Sequence, residues 1–116
     1  MPSPAADRLV DILCQTTIAL VRGEVRDLTA RQLAVFLICY LSNNKQTVRG
    51  LADQLRIYRA AVTRALDLLE KLDLAQRRPD PTDRRSVLVH QTARGNAFLR
   101  DLSKITADAE RATRSA

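Results

Sequence analysis

The apolar positions along the chain change their spacing once, near Asp73, and that change organises the reading. Up to there they recur every three or four residues, the period of helices with one side in a core. Within residues 5–21, Leu9, Leu13, Thr16 and Leu20 form one line with Val10, Cys14 and Val21 beside it, which predicts a first helix. Thr29, followed three residues later by Gln32, is a capping box that opens a second helix from Ala30 to Leu41. Leu33, Ala34, Leu37 and Leu41 fall in line there, and Val35, Phe36, Ile38, Cys39 and Tyr40 broaden the apolar face nearly all round. A helix this apolar is expected at the centre of its fold. Ser42-Asn43-Asn44 ends it with turn residues. Gln46-Thr47-Val48 reads either as a short strand or as an extended lead-in, with Thr47 placed to cap a third helix, Val48 to Leu55. The stretch Arg56–Lys71 is entered through a turn at Arg56-Ile57 and reads as a fourth helix, with Val62, Ala65, Leu66, Leu69 and Leu72 along one side.

After Asp73 the period shortens to two. Leu74 to Arg78 and Ser86 to His90 read as paired strands around a stiff loop, Pro79-Asp80-Pro81-Thr82-Asp83-Arg84-Arg85. Thr92 then caps a last helix, Ala93 to about Ala112. Its Phe98, Leu102, Ile105, Ala109 and Ala112 follow the spacing of a helix–helix seam. Core packing against the first helix explains Phe98 and Leu102 equally well; beyond Ile105 an intersubunit contact is the favoured reading. Gly95 weakens the first turn of this helix. A short helix, a brief turn, a longer helix and a hairpin make a winged helix-turn-helix. The expected class is therefore mainly α (α+β), a single domain over residues 1–116 with a DNA-binding core at 28–99. Residues 5–21 and 93–112 are the candidate dimerisation helices, with Leu9, Leu13, Phe98, Leu102, Ile105 and Ala109 as the expected dimer interface.

Charge sharpens this picture. The net charge of +6 is unevenly spread: zero over residues 1–44, +4 over 45–90 and +2 over 91–116. On the fourth helix Arg56, Arg59 and Arg64 come first, and Asp67 and Glu70 come last. A helix start that is basic adds to the partial positive charge of its free N–H groups, and both favour phosphate. Aromatic residues are only 3% and Trp is absent, which argues against a base-stacking RNA or single-strand surface. No apolar run is long enough to span a membrane, and the N-terminus lacks the pattern of a secretory signal, so the expected compartment is the cytoplasm. Cys14 and Cys39 with the single His90 do not make a metal-ligand spacing, so no metal or cofactor is expected. Cys14 reads as a buried core or interface thiol, with a peroxide-sensing thiol as the rarer alternative. His90 has no nucleophile or carboxylate pair around it in sequence, which argues against an enzyme and leaves no catalytic residue to name.

From Leu28 to Leu99 the chain resembles the MarR family of bacterial winged-helix transcription regulators. The resemblance lies in Ala61-Val62-Thr63-Arg64, in Leu68-Leu69-Glu70-Lys71-Leu72, in the run from Leu74 through Asp83-Arg84-Arg85, and in Thr92-Ala93-Arg94-Gly95. It implies homodimers that bind pseudo-palindromic double-stranded DNA, usually as repressors. On the matching positions, Tyr58, Arg59, Ala60, Ala61, Thr63 and Arg64 would face the major groove or its phosphates. Arg85 would reach into a minor groove, Arg84 would touch phosphate, and Asp83 would hold the wing and orient Arg85. Arg77 and Arg78 either lie near the DNA backbone or simply alternate outward. The resemblance also implies a small aromatic ligand. Cys14, Phe36, Cys39 and Tyr40 could line its pocket, though such residues are more often core.

Three departures from the family pattern stand out. Tyr58 takes the place of a helix-capping Ser, and it is a poor cap. Asp73 takes the place of a turn Gly, so that turn is expected to be altered. Only one helix follows the wing, so either the first and last helices do all the dimerisation or the dimer is weak. The function read from the sequence is a sequence-specific, dimeric DNA-binding transcriptional regulator, a repressor by family habit. The alternative is a winged-helix protein-interaction adaptor without specific DNA binding.

Overall fold

The computed structural model describes residues 4–23 and 28–114. Five helices and one hairpin follow in order: α1 Pro4–Arg22, α2 Ala30–Leu41, α3 Val48–Leu55, α4 Arg59–Lys71, β1 Gln76–Asp80, β2 Asp83–His90 and α5 Ala93–Arg114. They form two compact units. Residues 28–98 make one, and the described residues of the terminal segments, 4–23 and 99–114, make the other.

The larger unit is a winged helix-turn-helix. α2 and α3 both pack on α4, β1 packs on α4, and β2 packs on α3. Local sequence fixes the helix starts. Thr29 and Gln32 make the reciprocal capping box. The hydroxyls of Thr47 and Thr92 accept from the Gly50 and Gly95 amides three residues on. The lead-in at Thr47 is bridged to Leu88, and the Val89 amide donates to the Gln46 carbonyl, so a third extended segment borders the hairpin.

The core face of α2 is Val35, Phe36, Cys39 and Tyr40, whereas Leu41 lies exposed and Leu33, Ala34 and Leu37 are only half-buried. The line expected to face inward is thus rotated, because the heavier aromatic side of the helix took the core. Phe36 stacks on Tyr40 at 4.3 Å and meets the edge of Phe98 at 5.1 Å. Phe98, expected at a dimer interface, is therefore spent on this core. Phe36, Cys39 and Tyr40 are buried, while Cys14, expected as a core or interface thiol, is exposed on α1 and so is not core. Burial pushes the Cys39 thiol up to about 12, so it stays protonated and inert at neutral pH.

The Tyr40 hydroxyl joins three elements. It donates to the Leu74 carbonyl at 2.6 Å and accepts from the Thr92 amide at 3.0 Å. Gly95 lies directly against it. A Cβ there would collide with the hydroxyl and come within 2.6 Å of the Leu74 carbonyl oxygen. The glycine that weakens a helix start in isolation is thus required by a close approach.

The turn after α4 keeps its regular form although Asp73 replaces glycine. Asp73 itself adopts a left-handed conformation, φ 58°. The Leu74 amide donates to the Leu69 carbonyl and the Asp73 amide to the Glu70 carbonyl, the paired bonds of a Schellman ending. Asp tolerates this backbone region better than most residues, which is why the expected alteration does not occur. The strands also differ from expectation. Leu74 and Ala75 precede β1 as buried residues, and the hairpin extends outward to pair Asp80 with Asp83. The seven-residue loop is thereby reduced to a tight tip at Pro81-Thr82.

In the smaller unit, Arg8 of α1 pairs with Glu110 of α5 at 2.7 Å, and Arg114 pairs with the same carboxylate. Thr16, Leu102 and Ala109 are buried within the chain. Leu102 and Ala109 thus have little surface left for a partner, and Ile105 is half-buried. Leu9, Val10, Leu13 and Val21 on α1 are each more than 60% exposed. Among the described residues, no helix is long and apolar enough to cross a membrane.

Replacing Gly95 by Ala is expected to destabilise the larger unit by about 1–3 kcal/mol, the usual cost of overpacking a filled site. Urea unfolding followed by circular dichroism measures it. Asp73→Gly is expected to act in the opposite sense, raising stability by roughly 0.5–1 kcal/mol by removing the left-handed strain.

Candidate nucleic-acid interface

α4 buries Val62, Ala65, Leu66 and Leu69 and turns its other side outward. Tyr58 stands at its N-cap without a side-chain capping bond and is 88% exposed. Arg59, Ala60 and Arg64 are exposed, while Ala61 and Thr63 are half-buried at the flanks of the same end. The backbone is ready for an anion there, because the first turn of α4 has no acidic residue. Arg84 and Arg85 are exposed near the tip of the wing. Among the described residues, the guanidiniums of Arg59, Arg64, Arg84 and Arg85 enter no ion pair. The smaller turn-forming side chains brace the wing around them. Asp80 accepts the amide and hydroxyl of Thr82, at 2.9 and 2.8 Å, and these bonds hold its carboxyl below its usual range. Asp83 accepts the Arg85 amide and the Ser86 hydroxyl, each at 3.0 Å. The expectation that Asp83 holds the wing thus takes a definite form: it grips the backbone of Arg85, not its guanidinium.

The acidic end of α4 is treated differently. Arg77 of β1 closes over it. Its amide and Nε both donate to Glu70 Oε1, at 2.6 and 3.1 Å, and its Nη2 donates to Glu70 Oε2 at 3.2 Å and to Asp67 Oδ1 at 2.5 Å. The hydrogen bonds from Arg77 hold the Glu70 carboxyl below its ordinary value. Of the two arginines left open by sequence, Arg77 is therefore committed to the protein, whereas the exposed Arg78 donates to the Gln76 side chain. Sequence spacing alone did not mark Arg77; the signal was Asp67 and Glu70, three apart on one helix face, beside a strand arginine.

An open groove of about 470 Å³ lies between the start of α2 and α4, lined by Thr29, Ala30, Arg31, Gln32, Ala61, Arg64 and Ala65. It shares Arg64 with the exposed basic end of α4. Among the described residues, no group of three or more His, Cys, Asp or Glu could hold a metal ion. His90 titrates below its usual range through desolvation and the neighbouring charges of Lys45 and Arg78.

The basic helix end and the braced arginine-bearing hairpin lie within the stretch that the MarR family model matches, residues 28–87. The chain belongs to the MarR family. Solved structures agree with the fold of this MarR-family chain. A transcriptional regulator, PA4135, is 23% identical, with 99% of this chain and 84% of that chain covered and a TM-score of 0.72. CouR from Rhodococcus jostii RHA1, solved with p-coumaroyl-CoA bound, is 26% identical over 84% of this chain and 66% of that one, with a TM-score of 0.65. BpsR of Bordetella bronchiseptica, whose DNA binding is regulated by 6-hydroxynicotinic acid, is 20% identical over 92% of this chain and 74% of that one, again with a TM-score of 0.65. No curated protein sequence matches the chain.

The Glu70 pair sets a pH dependence. A carboxyl lowered in the folded state contributes stability above its unfolded value, near 4.5, and loses it as pH falls through the folded one. The stability advantage of the wild type over Glu70→Gln is therefore expected at pH 6–7 and expected to vanish towards pH 3. Denaturant titrations of both proteins across that range check it.

Proposed function

We propose that this protein is a dimeric, sequence-specific regulator of transcription that represses by occupying double-stranded DNA. The observation that carries the reading is the set of four exposed guanidiniums on the α4 end and the wing, in no ion pair among the described residues, beside acids neutralised by Arg77. In this reading Tyr58, Arg59, Ala60, Ala61, Thr63 and Arg64 enter the major groove or meet its phosphates. Arg85 occupies the neighbouring minor groove, where a narrow groove concentrates negative potential, and Arg84 meets phosphate. The second copy covers the α1 stripe of Leu9, Val10, Leu13 and Val21, with Ile105 beyond it. Apolar residues this exposed in a row mark a surface that is used. Two recognition helices in such a dimer would address half-sites about 34–36 Å apart.

An effector of small aromatic character is part of the proposal, supported by what CouR and BpsR bind. Its place would be the groove between α2 and α4, where Arg31 and Arg64 can meet a carboxylate. A ligand held there competes for Arg64 and so weakens DNA binding.

Selection of bound sequences from random duplexes tests the reading. A pseudo-palindromic motif is expected, and enrichment of no motif supports a protein-binding adaptor instead. On the selected duplex, Arg85→Ala should lower affinity about tenfold or more. With four guanidiniums per protomer, log affinity should fall with log salt at a slope of up to about −7 for the dimer. In sedimentation, Leu13→Glu is expected to convert dimer to monomer, and a wild type that sediments as monomer contradicts the α1 interface.

A further inference from the structure

The wing stem is held on both of its edges by different means. On the β2 edge, Leu88 is bridged to Thr47 and the Val89 amide reaches the Gln46 carbonyl. On the β1 edge, the attachment to α4 is Arg77. Its Nε–H and two Nη2–H bonds all go to carboxylates of α4, and its backbone amide goes to the same Glu70. Asp67 and Glu70 are three residues apart, so one guanidinium spans one face of the helix. The side-on fork onto Glu70 is a two-point contact that fixes direction as well as distance. The Arg77 side chain is about one-fifth exposed and Glu70 about one-third, so this pair is better shielded from solvent than an ordinary surface ion pair.

Resting on the DNA-binding reading above, we propose that Arg77 is a positioning residue for duplex recognition: through Glu70 and Asp67 it sets the offset between wing and recognition helix. Arg85 on the wing and Arg59 and Arg64 on α4 then meet one duplex at the same time. The geometry explains why a basic residue inside this basic unit is turned away from solvent. It is used on the protein's own acids, so that the free arginines arrive in register. Without the fork, β1 keeps its pairing with β2, but the hairpin can swing on the Thr47 side. The wing contact then costs ordering on every binding event.

A double-mutant cycle on the selected duplex tests this, with Arg77→Met and Arg85→Ala singly and together. Alone, each is expected to weaken binding about tenfold or more. Together they should weaken it by less than about threefold beyond Arg77→Met alone, because the wing contact is already lost. Losses that multiply would mean that Arg77 touches DNA itself or serves only general stability, and would overturn the proposal. Wild-type affinity in Arg77→Met overturns it too, as does wild-type affinity in Arg85→Ala, since a wing without a contact needs no setting. Arg77→Lys, which keeps charge but not the fork, is expected to recover only part of the loss. If the Met variant does not fold, Asp67→Asn with Glu70→Gln weakens the same tie and the cycle is read in that background. Arg59→Ala serves as the control on the underlying reading. If Arg59→Ala also leaves binding unchanged, or the wild type selects no duplex, the DNA-binding reading fails, whereas a failed cycle on a duplex that Arg59→Ala releases removes only the role of Arg77.

Discussion

The larger unit depends on one hydroxyl. Tyr40 comes from the middle helix of the core, yet its oxygen is shared by the turn that ends α4 and the residue that starts α5. The buried Leu74 carbonyl left without it would cost about 1–3 kcal/mol, and the part-buried Thr92 amide would lose its partner too. Two further choices make that geometry possible. Gly95 offers no side chain where the hydroxyl must sit, and Asp73 bends the chain through a left-handed residue so that the Leu74 carbonyl points at it. The junction thus ties α2 to the end of α4 and the start of α5, on either side of the wing in the chain.

Above that junction, charge is sorted within a single helix. The early turns of α4 present arginines that form no ion pair among the described residues, and the late turns present acids that one arginine covers. The separation allows a unit of positive charge to hold carboxylates without weakening its attraction for a polyanion. The Arg77 fork thus performs two tasks with one side chain, joining two elements and masking the wrong sign of charge.

Much of this was legible in the chain. The caps at Thr29, Thr47 and Thr92 announced their helices because a hydroxyl followed by a free amide three residues on is a purely local bond. The buried side of α4 followed from its period. The limits were equally physical. The rotation of α2 depended on which of two apolar faces met Phe98, a contact across more than sixty positions that no local rule sees. Cys14 read as a core or interface thiol because its neighbours are apolar, and its exposure on α1 removes the core alternative. The length of the strands escaped because prolines at the tip suggested a loop, whereas Pro79 fits at the outer end of a two-stranded ribbon where a missing amide costs little. The pairing of Arg77 needed strand and helix to be brought together before it could be read.

The register of the hairpin has a consequence for how such a wing can vary. β1 and β2 pair without interruption from Gln76 and His90 to Pro79 and Val87, and Val89 is anchored in the core. The register shifts between Pro79 and Asp80, so Arg84, Arg85 and Ser86 lie in the irregular stretch before Asp80 meets Asp83. Adding or deleting one residue within the regular stretch would send the side chains beyond it to the opposite surface. A lineage can therefore lengthen or trim the outer flap with little penalty, but can alter its shaft only in pairs of residues without turning what lies beyond it.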